Sequence, residues 1–246
     1  PNIAPDTHQA YAGVSSFAHK AGLHASALKV NPELYNHIDP ALVGGDQRVL
    51  VTEMAGRASV EMKSKELGYD ITGDAERVTH IVETVKDLES KGWTFEAADA
   101  SFELILMGSD ESQSRFEVES WRTIVEQDAS GDVRTEATVK VRANGERMIS
   151  TAEGNGPVNA LDKALRSAVT SLHPELEPLE LIDYKVRILE KSDADTSGTA
   201  SVTRVLVSTS DGKREWTTLG VHENVVAASW RALEDALTYG LMRSQA

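Results

Sequence analysis

The chain has 246 residues, of which 40% are hydrophobic, and a formal net charge of −14. Its length and apolar content suffice for two or three compact units, while so acidic a surface makes nucleic acid and anionic membranes poor partners. No apolar run approaches the ~20 residues needed to cross a bilayer, and the absence of cysteine rules out disulfides and thiolate metal sites and fits a cytoplasmic protein.

The chain opens on Pro1-Asn2-Ile3-Ala4-Pro5 rather than on methionine, which reads as a processed or truncated start. Residues 1–50 are rich in turn formers and histidine. Residues 11–28 read as one or two short helices broken at Gly22, with Val14, Phe17, Leu23 and Leu28 as the apolar positions. Asn31-Pro32 ends that stretch, because proline disfavours helix at the residue before it. Asp39-Pro40 and Gly44-Gly45 are further breaks. Residues 51–110 read as a helical module. Residues 55–67 form one helix, stopped by Gly68 at the C′ position. Residues 74–91 form the next: Val78, Ile81, Val82, Val85 and Leu88 recur at helical spacing, and Gly92 ends it. Residues 96–107 form the third, with Ala97, Ala100, Leu104 and Met107 as its stripe and Gly108 at its end.

The polar stretch 108–114 reads as a linker, and the period then changes to two. Residues 116–127, 136–142 and 147–153 alternate as strands, with Asn144-Gly145 as a hairpin turn. Residues 157–169 form a helix whose stripe is Val158, Leu161, Leu165, Ala168 and Val169, with Pro157 in the first turn. The order then recurs: strands at 179–189, 201–208 and 213–219, a hairpin at Asp211-Gly212, and a helix at 225–241. Shifting the first set by 68 positions takes Ala164-Leu165 onto Ala232-Leu233, Lys163 onto Arg231 and Val158 onto Val226. The prediction is an α+β protein: small helical linker subdomains at 1–50 and 51–110, then 111–246 as a duplicated βββα unit, with repeats at about 115–172 and 178–243. Two such units would bury their apolar faces by packing sheets or helices together. The acidic clusters at 110–111 and 193–195 read as solvated loops.

Few residues are placed to carry chemistry. His19 and His24 are five apart, a spacing that does not stack two ligands on one helix face, where ~3 or ~4 is needed. That disfavours a two-histidine metal site and leaves capping or solvent-exposed histidines as the plain reading. Gly154-Asn155-Gly156-Pro157 joins a strand to a helix start, where free amides and the positive end of the helix dipole suit a carboxylate. The competing reading is an ordinary strand-to-helix turn. Gly220-Val221-His222-Glu223-Asn224 holds the matching place in the second repeat, and the two turns together would form a pseudo-symmetric pocket. Asp183 would take an ammonium group there, or else be a solvated strand residue. Leu181 and Tyr184 would wall a side chain. The expected binding set is Asn155, Gly156, Pro157, Leu181, Asp183, Tyr184, Gly220, Val221, His222 and Asn224.

Two stretches carry a family resemblance. Residues 16–29, Ser-Phe-Ala-His-Lys-Ala-Gly-Leu-His-Ala-Ser-Ala-Leu-Lys, resemble the F-x-H-x-x-G-x-H-x-x-x-x-K motif that follows the catalytic barrel of citramalate and 2-isopropylmalate synthases. Residues 35–40 and 49–60 look like the citramalate-type branch. Residues 153–161, Glu-Gly-Asn-Gly-Pro-Val-Asn-Ala-Leu, resemble the G-N-G-P-V-x-A turn of that family's amino-acid-sensing domain, and Leu181-Ile182-Asp183-Tyr184 follows at the expected distance. The resemblance covers nearly the whole chain. It implies a linker and regulatory region whose catalytic TIM barrel, with its divalent metal, is absent from this chain: no His-x-His pair occurs and no βα series precedes Tyr11. No cofactor is expected on the chain itself, and alone it should be inactive. The resemblance implies a homodimer in which His24 reaches into the partner subunit's barrel. There it would polarise or protonate the keto oxygen, or orient the groups that deprotonate the acetyl methyl. Tyr35 would close over the acyl thioester, or else is a packed aromatic. The implied reaction condenses acetyl-CoA with pyruvate, or with 2-oxoisovalerate in the other branch, under feedback by isoleucine, else leucine. A stand-alone amino-acid-binding module and a simple dimerisation domain are the rivals from other classes.

Overall fold

The computed structural model describes residues 6, 8–13, 15–19, 22–31, 33–50, 56–108, 116–143, 145–189 and 200–244. The expected linker beyond Gly108, the acidic loops at 110–111 and 193–195, the start of the helix expected at 55, and Val14, Pro32 and Asn144 lie outside the described residues. The chain divides into two units, Pro1–Glu96 and Ala97–Ala246.

In the first unit β1 (Ala18–His19) pairs in parallel with β2 (Arg48–Val49). Helix α1 (Gly22–Val30) begins at the glycine that the sequence suggested would break a helix, and the described residues from 8 to 19 include turns and the β1 strand. Ala25 and Leu28 of α1 pack with Val49 against Ala58 and Met62 of α2 (Arg57–Glu66), and Lys29 bonds Glu61 at 2.7 Å. Gly68 follows α2 at φ 89°, as a C′ glycine does. Helix α3 (Ala75–Ser90) matches its expected span. Asp74 caps it by accepting the Arg77 N–H, and Val78, Ile81 and Val85 are its buried face.

The second unit contains α4 (Asp99–Met107), then β3 (Glu117–Gln127), β4 (Val133–Ala143), β5 (Glu146–Gly154) and α5 (Pro157–Leu172). After them come β6 (Glu180–Ile188), β7 (Thr203–Ser210), β8 (Glu215–His222) and α6 (Val225–Arg243). The strands form two three-stranded antiparallel sheets, ordered β3-β4-β5 and β6-β7-β8. Alternation turns Ala137, Val139 and Val141 of β4, and Val205 and Val207 of β7, into one core with Leu161, Leu165, Leu233 and Leu237 of the helices. Trp121 of β3 stacks on Trp230 of α6, with centroids 5.6 Å apart, so α6 also reaches the first sheet. Among the described residues the fold is α+β with no TIM barrel.

Helix α4 differs from expectation. The sequence grouped it with α2 and α3 in a module ending near 110, but it packs on β8 and α6 in the second unit. Its buried face is Ala100, Ser101, Phe102, Glu103 and Leu106 rather than a purely apolar stripe. Ser101 Oγ accepts the Leu219 N–H at 2.9 Å, covering the outer edge of β8. The Glu103 carboxylate, 3% exposed, accepts from Tyr239 Oη at 2.8 Å and from Arg243 at 2.5 Å. A buried carboxylate with two donors is invisible to a count of apolar residues.

A methyl group on Gly220 would lie 2.0 Å from the Ala228 carbonyl oxygen, whereas one on Gly156 would meet nothing within 4 Å. Gly220→Ala is therefore expected to cost ~3 kcal/mol in chemical denaturation, and Gly156→Ala under ~1 kcal/mol. Equal midpoints for the two variants would contradict the close approach of α6 to β8.

Candidate functional site

A groove of about 700 Å³ runs along the start of α5. Five of the expected residues meet in it: Asn155, Gly156, Pro157, Leu181 and Tyr184. The N-cap of α5 is Gly156, in extended conformation, so no side chain caps the first amides of the helix. Asn159, at the third helical position, points back and accepts the Asn155 N–H at 3.3 Å. Bare amides at a helix start carry the partial positive charge of the dipole. Gly154 sets the helix close to β5, since a methyl there would lie 2.5 Å from the Ala160 nitrogen.

Val158, Asp162 and Arg166 recur every four residues along α5 and line the same groove. Arg166 bonds one Asp162 oxygen at 2.7 Å and the Leu179 carbonyl at 2.5 Å, tying the start of β6 to α5. Tyr184 Oη bonds Ser229 Oγ of α6 at 2.7 Å. Asp162 was missed in the sequence, although its i, i+4 spacing from Val158 placed it on the face that the turn opens onto.

The other expected residues lie elsewhere. Gly220, Val221, His222 and Asn224 do not line the groove. Asn224 caps α6, accepting from the Val226 and Ala227 amides at 2.8 and 3.1 Å, and His222 Nδ1 accepts the Asn224 N–H at 2.8 Å. This turn satisfies its own donors, so it does not mirror the open turn at Gly156. Asp183 is also out of the groove. In β6, Tyr184 is paired with Val207 of the core and Asp183 with Ser208, and successive strand residues face opposite sides. Lys185 bonds Asp183 at 2.5 Å and, with the Tyr184 amide, holds its carboxyl below the usual range.

In the first unit His24 stacks on Tyr35, with ring centroids 4.0 Å apart and planes 21° from parallel. His19 meets His24 edge-on at 5.8 Å. Tyr35 is 54% exposed and has φ 65°. A cavity of about 370 Å³ is lined by His8, Ser15, His19, His24, Leu50 and Glu96. Burial lowers the pKa of His19, His24 adds to the lowering, and a hydrogen bond to Asn36 opposes it. Among the described residues no group of three or more His, Asp or Glu side chains is placed to hold a metal ion, and no helix is long and apolar enough to cross a membrane.

Residues 96–241 match the LeuA allosteric (dimerisation) domain, and residues 12–92 match the homocitrate synthase post-HMGL domain-like family. The chain belongs to the LeuA allosteric (dimerisation) domain family, whose match spans the motif at 153–161, while the second match spans that at 16–29. It is 62% identical over 245 residues to an (R)-citramalate synthase of Streptomyces coelicolor, an overlap of 99% of this chain and 45% of that protein. An (R)-citramalate synthase of Synechocystis is 43% identical over 98% of this chain and 44% of its own length. A 2-isopropylmalate synthase of Acetivibrio thermocellus is 28% identical over 92% and 41%. The chain thus spans less than half the length of these relatives.

The groove's construction predicts opposite outcomes at two sites. Gly154→Ala should force β5 and α5 apart and cost roughly 2–3 kcal/mol. Asp183→Ala removes an exposed ion pair and should change stability by less than ~1 kcal/mol. Denaturant midpoints check both, and a larger loss at Asp183 would contradict the placement.

Proposed function

We propose that this chain is the carboxy-terminal linker and regulatory region of an acyltransferase that condenses acetyl-CoA with pyruvate to form citramalate, and that its second unit binds isoleucine as feedback inhibitor. The uncapped start of α5, opening into a groove that also holds Asp162, carries this reading. An amino acid's carboxylate would take the bare amides, its ammonium would face Asp162 in place of Asp183, and Leu179, Leu181 and Tyr184 would wall its side chain. Burying a branched four-carbon side chain contributes roughly 2–3 kcal/mol. Isoleucine and pyruvate are favoured by the citramalate-type residues at 35–40 and 49–60 and by the (R)-citramalate synthases among the relatives. Leucine and 2-oxoisovalerate are the alternative, supported by the 2-isopropylmalate synthase.

The protein would work as a cytoplasmic homodimer. The family's description as a dimerisation domain supports this, as do Val125, Val186 and Ile188, apolar yet 55%, 45% and 58% exposed on the edge strands β3 and β6. The linker subdomains expected at 1–50 and 51–110 would divide at residue 50, with the second ending at Glu96, where the first unit ends. The second unit would be an internal duplication: a shift of 68 carries the Lys163 bond to the Glu153 carbonyl onto the Arg231 bond to the Val221 carbonyl. His24 would act on the keto oxygen in the partner's barrel as it gains negative charge, with Tyr35 closing over the thioester. The divalent metal implied by the family resemblance would belong to that barrel.

Thermal melting tests the sensing. Isoleucine at ~100 times its Kd should stabilise the chain by ~2.7 kcal/mol. Gly156→Asp would supply α5 with a cap, raising the ligand-free stability by a few tenths of a kcal/mol, and its charge should abolish the isoleucine shift. No shift with isoleucine or leucine at millimolar concentration would sink the sensing role, and a shift with leucine alone would select the alternative.

A further inference from the structure

Three rings meet in the first unit, and each comes from a different element: His19 from β1, His24 from the first turn of α1, and Tyr35 from the turn at 33–35. His19 stands on anchored backbone, paired with Val49 and accepting the Leu50 N–H on its carbonyl at 2.9 Å. Tyr35 does not. At φ 65° it occupies the left-handed region, which a bulky residue adopts only when its surroundings hold it there. Its neighbour Asn36 is hydrogen-bonded to the His19 side chain. The same His19 ring meets His24 edge-on, and His24 in turn stacks on Tyr35.

We propose that His19 is a positioning residue: from the β1 strand it holds the His24 ring and the Tyr35-Asn36 turn together, so that the stacked pair is presented in one fixed geometry. This rests on the reading of His24 as the acid–base group. A catalytic group misplaced by about 1 Å can lose on the order of 10²-fold in rate, and His24 lies in the first turn of a nine-residue helix. Burial disfavours the charged form of His19.

A double-mutant cycle in the full-length protein tests this, measured as kcat and KM for acetyl-CoA and the 2-oxo acid. His24→Ala should lower kcat about 10²-fold. His19→Ala should lower it roughly tenfold with little change in either KM, and His19→Asn, which keeps a polar group within reach of Asn36, should recover part of the loss. The double variant His19→Ala/His24→Ala should be no slower than His24→Ala alone, because nothing is left to position. Multiplying losses would overturn the proposal by giving His19 an independent role, as would a normal kcat in His19→Ala beside an impaired His24→Ala. A normal kcat in His24→Ala would instead remove the catalytic reading, and the positioning role with it. Should His19→Ala not fold, His19→Asn takes its place in the cycle, with the same non-additivity expected.

Discussion

In the second unit the helices lie on their sheets closer than a side chain allows. At Gly154 a methyl would approach the Ala160 nitrogen to 2.5 Å, and at Gly220 one would approach the Ala228 carbonyl oxygen to 2.0 Å. Glycine is needed at both places for space, not for a left-handed backbone. This closeness lets Val139 and Val141 of β4, Val205 and Val207 of β7 and the inner faces of α5 and α6 merge into one core. It also sets where each helix begins relative to the strand before it, and so where its first amides emerge.

What happens at those two helix starts differs by one side chain. Asn224 folds back on α6 and accepts two amide hydrogens, whereas Gly156 has nothing with which to do so on α5. An Asn cap stabilises a helix by only about a few tenths of a kcal/mol over Gly, so leaving α5 uncapped forgoes little stability and leaves exposed donors. The groove beside them has an acidic group, Asp162, held by Arg166, and apolar walls from β6. An open helix start, the carboxylates of Asp162 and Glu180 and an aliphatic surface are the features on which the proposed binding of a branched amino acid rests.

The first unit concentrates its polar residues differently. One of its apolar clusters is built around Ala25, Leu28 and Val49, and His19, His24 and Tyr35 belong to short elements or turns. Rings contributed by β1, α1 and the turn at Tyr35 come together only because the β1–β2 pairing and the α1–α2 contact close the intervening loop.

Period and punctuation in the sequence determined the elements: the 3.6-residue recurrence of Val78, Ile81 and Val85 gave α3 with its Asp74 start, and alternation with Gly145 and Gly212 gave both hairpins. The open turn at Asn155-Gly156-Pro157 was legible as well, because an uncapped helix start is a local property of three residues. The tertiary structure alone decided what those elements face. Strand register put Tyr184 toward α6 and Asp183 away from the groove, since adjacent strand residues point to opposite sides and a bulge between Leu181 and Asp183 resets the count. It also brought in Asp162 by helix packing, and it bound α4 to β8 through Ser101 and to α6 through the carboxylate of Glu103, whose partners Tyr239 and Arg243 lie more than a hundred residues along the chain. A sequence records which residues neighbour each other along the backbone, but the desolvation that makes such a carboxylate bind its partners exists only once the chain has closed around it.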